Sequence, residues 1–189
     1  MRAASANIKT YSFWLTQTAM LCAVGILIPM FMPIRVIIEP MSFTLAVHVP
    51  IFIAMLISPA SAVAVTLGTT LGFAFAGFPI VIVLRAGSHI FFALAGAIYL
   101  KRHPNLISSG LHFWSFSLAV GIIHAIAEVA AVIPFYFGGT LPAGFFERGF
   151  VMGVVILVGV GTILHSMVDL FIARIVWAPL KKISGSGMV

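Results

Sequence analysis

Apolar runs long enough to cross a bilayer follow one another along almost the whole chain. A spanning helix needs roughly 20 apolar residues. With 189 residues, 62% of them hydrophobic and 7% charged, the sequence has room for about six such helices and little else. A water-soluble domain would carry about a quarter charged residues. The expected fold is an all-α integral membrane protein, a single domain over residues 1–189 with six transmembrane helices at 12–32, 45–58, 60–77, 79–100, 112–136 and 150–178. The second is short and contains Pro50, while Pro79 opens the fourth at a favourable first-turn position. The N-terminal run follows Arg2 and Lys9 and continues to Phe31 without a convincing small-residue cleavage site, so it reads as a retained first helix.

Lysine and arginine sort by side. With six crossings, Arg2, Lys9, Lys101, Arg102, Lys181 and Lys182 share one face of the membrane. The other holds Arg35 and Arg148, accompanied by Glu39 and Glu147. Basic excess marks the cytoplasmic side, which places both termini there. The net charge of +6 therefore serves topology. There is no basic stripe interleaved with aromatics, and a nucleic-acid partner is not expected. The single Cys22 offers neither a disulfide framework nor a thiolate metal site. Gly68, Gly72 and Ala76 recur four apart in the third helix, a spacing that lets another helix approach closely.

Three successive spans each carry an ionisable pair at i, i+4, hence on one helical face: Arg85 with His89, His124 with Glu128, and His165 with Asp169. His48 adds a fourth histidine near the outer end of the second span. Ionisable groups are costly in hydrocarbon and face an interior or a watery cavity. Turning the three faces together makes one polar pocket among the fourth, fifth and sixth helices. Arg85 and Glu128 fall at matching depth, about two turns from the outer surface, and Asp169 lies nearer the cytoplasm. An arginine fork suits a carboxylate or phosphate. Neutral histidines suit a ring nitrogen or a hydroxyl. Phe92, Phe135 and Tyr136 offer walls for a flat ring. The candidate ligand is a small, polar, aromatic molecule, and a buried Arg85–Glu128 ion pair that only holds the bundle together is the competing role.

No metal site or cofactor is expected from spacing, because the pairs sit on separate helices without a dense ligand motif. Neither H-E-x-x-H nor G-x-S-x-G occurs, and no catalytic set for an enzyme is visible. Without a Walker A motif the chain does not hydrolyse ATP itself. A proton-coupled carrier using His165 and Asp169 as a relay is an alternative, weakened by the short chain and the lack of an inverted repeat. A purely structural membrane subunit is a third.

The stretches "HVPIFIAMLISP" and "GFPIVIVLRAGSH", with "TAMLCAVG" in the first helix, resemble the substrate-binding S-components of energy-coupling factor (ECF) vitamin transporters. The niacin-type branch is most similar and the vitamin B6 type next, over nearly the whole chain. The resemblance implies a bacterial plasma-membrane subunit that binds its vitamin from outside. It further implies partnership with a membrane scaffold subunit and two ATP-binding subunits, and uptake by toppling within the bilayer. The scaffold would dock on helices 1 to 3 at an A-x-x-x-A motif, here Ala19 and Ala23. The ligand would sit among helices 4 to 6 under a lid formed by segments 35–42 and 77–79. On that reading the ligand-binding residues are Arg85, His89, His124, Glu128, His48, His165 and Tyr136. Nicotinic acid would place its carboxylate on Arg85 and its pyridine nitrogen on a histidine; Glu128 would suit a pyridoxine-like ligand better.

Overall fold

The computed structural model describes residues 2–38, 41–108, 110–141 and 143–183, leaving aside the side chains of 2–11, 37–38, 41–42, 145 and 181–183. Glu39, and the side chains of Arg2, Lys9, Ser42, Lys181 and Lys182, therefore fall outside the described residues. In chain order the elements are α1 (Arg2–Phe31), β1 (Arg35–Ile38), β2 (Met41–Thr44), α2 (Val49–Ile57), α3 (Pro59–Phe75), α4 (Ile80–Ser88), α5 (Ile90–Arg102), α6 (Gly110–Phe137) and α7 (Gly161–Ile183).

Four helical stretches among the described residues are long and apolar enough to cross a membrane: Ser12–Phe31, Ile80–Arg102, Gly110–Phe137 and Val151–Leu180. Helix α3 is apolar but shorter. The outer surface carries large apolar side chains such as Phe75, Phe91 and Leu111, while His124, Glu128, Thr162 and Asp169 are buried. That distribution suits a hydrocarbon solvent, where polar groups turn inward to find partners.

Helix α1 lies against α3, and the glycine spacing explains how. A Cβ on Gly68 would come within 2.5 Å of Cys22 Sγ, and one on Gly72 would run into the Ile26 side chain. The small-residue row is thus a packing surface for α1. The turn into α3 is closed by Ser58, whose Oγ accepts from the Ser61 backbone N–H at 3.0 Å, with Pro59 in the first turn.

The structure revises the expected helix limits in four places. The second helix begins at Val49 rather than at 45, and its run from Val49 to Met55 is buried. At nine residues it is only about 14 Å long, too short to cross a bilayer alone. Pro50 sits in its first turn, where a missing N–H costs nothing, so it starts the helix and does not break it.

Second, the connection after α1 is an antiparallel hairpin, with Arg35 opposite Thr44 and Val36 opposite Phe43. Among the described residues the fold is therefore helical with one small two-stranded sheet. Third, the span expected at 79–100 is two helices meeting at His89. Ser88 Oγ donates back to the Arg85 carbonyl at 2.7 Å, and the Gly87–Ser88 pair provides the flexible point. Fourth, the last span opens with ten residues of π-helix, Val151–Val160, ending where the Gly161 N–H donates to the Ile156 carbonyl.

Candidate functional site

Two buried carboxylates organise the polar interior. Glu128, on α6, is met by three other elements. Arg85 Nη2 donates to Oε2 at 2.9 Å from the end of α4. Thr162 Oγ1 donates to the same oxygen at 2.8 Å from the start of α7. His89 Nε2 lies 3.2 Å from Oε1, and His124 Nε2 lies 3.6 Å from it. The kink at His89 brings Arg85 and His89 onto one carboxylate. The matching depth expected for Arg85 and Glu128 is met by this contact.

Asp169, on α7, is held mainly by backbone. Its Oδ1 accepts the Ala46 N–H at 2.8 Å and its Oδ2 the His48 N–H at 3.0 Å. His48 Nδ1 is 3.1 Å from Oδ2, and His165 Nε2 is 3.2 Å away without hydrogen-bond alignment. Ala46 has φ of 65°, the left-handed region, which an alanine occupies only when its surroundings impose it. Asp169 thus clamps the tight turn that leads into α2 and sets the His48 ring.

His48 joins the two centres. Its ring centroid lies 4.7 Å from that of His89, 4.6 Å from His124 and 5.0 Å from His165. Phe92 lies under the cluster, 4.4 Å from His124 between centroids. The pocket expected among three helices is therefore completed by the entry into α2. A cavity of about 210 Å³ opens above these residues, lined among others by Arg85, His89, Glu128, His48 and His165. Its rim carries Arg35 and Phe43 of the hairpin and Phe78 of the loop after α3. Phe43 stacks on His165 at 4.7 Å and 17°. Of the expected lid segments, 35–38, the backbone of 41–42, and 77–79 are described, and Phe43 lies just beyond the first.

Arg85 uses one donor on Glu128, and its Nε is buried without a hydrogen-bond partner. Both ring nitrogens of His124 are likewise buried without a hydrogen bond. Orphaned donors in an apolar interior are costly; Arg85 lines the cavity, and His124 lies against His48 and His89, which line it too. The ion pair and a ligand role for Arg85 can therefore hold together: a second carboxylate finds spare guanidinium N–H groups.

Six of the seven expected ligand residues converge; Tyr136 does not. Its ring packs with Phe146 at 5.0 Å and Phe150 at 5.4 Å, away from the cavity lining. Phe135 belongs to the same outer cluster. Arg174, a possible partner for Asp169, instead covers the Phe113 ring at 4.5 Å. Thr162 was missed, although it lies three residues before His165 on the same face. Ala19 and Ala23 are exposed on α1. A larger cavity of about 560 Å³, lined by Met55, Leu100, Lys101, Arg174 and Trp177 among others, holds no comparable group of buried titratable side chains.

The chain is 41% identical over 155 residues to the niacin transporter NiaX of Lactococcus lactis subsp. cremoris (strain MG1363), covering 82% of this chain and 68% of that protein. No family model matches the sequence. No solved structure matches it either.

Proposed function

This chain belongs to the family of the niacin transporter NiaX, and from that premise we propose that it is the niacin-binding S-component of an ATP-driven uptake transporter in the bacterial cell membrane. The likeness to a niacin transporter carries the reading; the polar cavity supports it. The nicotinate carboxylate binds the Arg85 N–H groups that Glu128 leaves free. A histidine, His89 or His124, meets the pyridine nitrogen. His48 and His165 complete the walls, and the hairpin carrying Phe43 covers the ligand.

The protein binds and does no chemistry on its ligand. Four long apolar helices and the shorter apolar α3, with the nine-residue α2 crossing only together with the turn that leads into it, support a bundle of six crossings with cytoplasmic termini. The exposed Ala19–Ala23 face supports docking to the scaffold subunit, with ATP-binding subunits supplying the work. Glu128 favours one second reading, a pyridoxine-like ligand whose hydroxyls donate to its carboxylate.

Calorimetric titration of the purified protein with nicotinic acid, nicotinamide and pyridoxine tests both. Nicotinic acid binds far more tightly than the other two, and Arg85→Ala weakens it about 100-fold, about 2.8 kcal/mol. A preference for pyridoxine replaces the substrate and keeps the class. Equal affinity for nicotinamide removes Arg85 from the role of carboxylate clamp.

A further inference from the structure

The histidines around Glu128 have more than a wall's arrangement. One ligand-capable atom from each of His48, His89, His124 and Glu128 lies within 4.8 Å of the others, and all four residues are buried. The atoms a metal needs are open or hold only each other: His89 Nε2 and Glu128 Oε1 share one hydrogen bond of 3.2 Å, whose proton a metal ion would replace. Arg85 and Thr162 both occupy Oε2 of Glu128, so Oε1 faces the rings. Asp169 holds Nδ1 of His48, which leaves its Nε2 turned away from that bond. A carboxylate on the far nitrogen of a metal-ligating histidine fixes its tautomer and raises its basicity. His124 has no hydrogen bond at either nitrogen.

We propose that a zinc-class divalent transition-metal ion binds among Nε2 of His48, His89 and His124 and Oε1 of Glu128, beneath the vitamin cavity. Three imidazoles and one carboxylate make a complete tetrahedral N/O set for such an ion, and with Nε2 on the ion, the Nδ1–H of His89 or His124 is the group left to meet the pyridine nitrogen. Bonds of about 2.0–2.1 Å require the three rings, now edge to face with centroids 4.6–4.7 Å apart, to turn and close on the ion. Charge balance points the same way. With neutral histidines, Arg85 offsets one of the two buried carboxylates, Glu128 and Asp169. Resting on the niacin reading, an entering carboxylate raises the uncompensated buried charge to two negatives, and a divalent cation cancels both. Sequence spacing concealed the site, since its ligands come from α6, the α4–α5 kink and the turn before α2.

The test uses the chelator-stripped protein in detergent, titrated with Co²⁺ alone. Binding produces the intense visible absorption of tetrahedral cobalt, saturates at one equivalent and is reversed by Zn²⁺. His124→Gln and, as a second variant in case the first misfolds, His89→Gln abolish the spectrum. His103→Gln, an exposed residue, leaves it unchanged. A weak octahedral spectrum in the wild type, or a tetrahedral one that survives both site variants, overturns the proposal. Nicotinic acid titrated into the same stripped sample separates the two readings. Binding of the vitamin without tetrahedral cobalt removes the metal and leaves the function standing. Tetrahedral cobalt without vitamin binding keeps the metal and removes niacin. Where both bind, Zn²⁺ tightens nicotinic acid at least tenfold, and no change refutes the charge-balancing role.

Discussion

Glu128 and Asp169 are both buried carboxylates in the middle of an apolar bundle, yet they are satisfied in different ways. Glu128 is surrounded by side chains from three other elements, each able to re-aim: Arg85, His89 and Thr162. Asp169 is gripped by two backbone N–H groups of one tight turn, at Ala46 and His48. Side chains exchange partners by rotating, whereas backbone donors stay where the turn puts them. The first centre can open to a ligand. The second is a clamp that positions His48, and through it the floor of the cavity. An ionisable residue within a span is thus not by itself a ligand site; what holds it decides its role.

The largest effect that would break this comparison is on the clamp. Asp169→Ala leaves the Ala46 and His48 N–H groups and the His48 ring without their acceptor, a loss of about 3–5 kcal/mol. The melting temperature of the detergent-solubilised protein falls accordingly, and vitamin binding falls with it. A loss below about 1 kcal/mol would mean that the turn holds itself.

The second prediction sharpens the contrast at Glu128. Arg85→Ala strands a buried carboxylate and costs stability as well as affinity. Adding Glu128→Gln removes the stranded charge. The double variant regains most of the lost melting temperature and still fails to bind nicotinic acid. Recovery of binding in the double variant would make the arginine a mere counter-ion.

The smallest effect concerns the strain that Asp169 maintains. Ala46→Gly removes the left-handed penalty at φ 65°, offset in part by the entropy of glycine, and raises stability by about 0.5–1 kcal/mol. A lower melting temperature would show that the turn relies on the alanine side chain.

Much of the site was legible because helical periodicity is local. The i, i+4 pairs at 85/89, 124/128 and 165/169 share faces whatever the rest of the chain does, and each pair does point inward. Tyr136 lies near a helix end with no periodic partner to fix its direction, and its ring packs in the outer aromatic cluster, away from the cavity lining. His48 has no i, i+4 partner in the sequence; its central place depends on a turn closed by a residue over 120 positions away.

The sequence by itself determined the membrane class, the long apolar stretches and the inward-facing charged pairs, because hydropathy and 3.6-residue periodicity act over one or two turns of chain. Only the tertiary structure decided that strands 35–38 and 41–44 pair beside the cavity and that α2 is a short, buried helix. It also decided that the fourth span kinks at His89 and that two histidines meet at one glutamate with His48 packed against both. Those outcomes depend on which faces pack together and which distant donors find an acceptor, and no local window of residues contains that information.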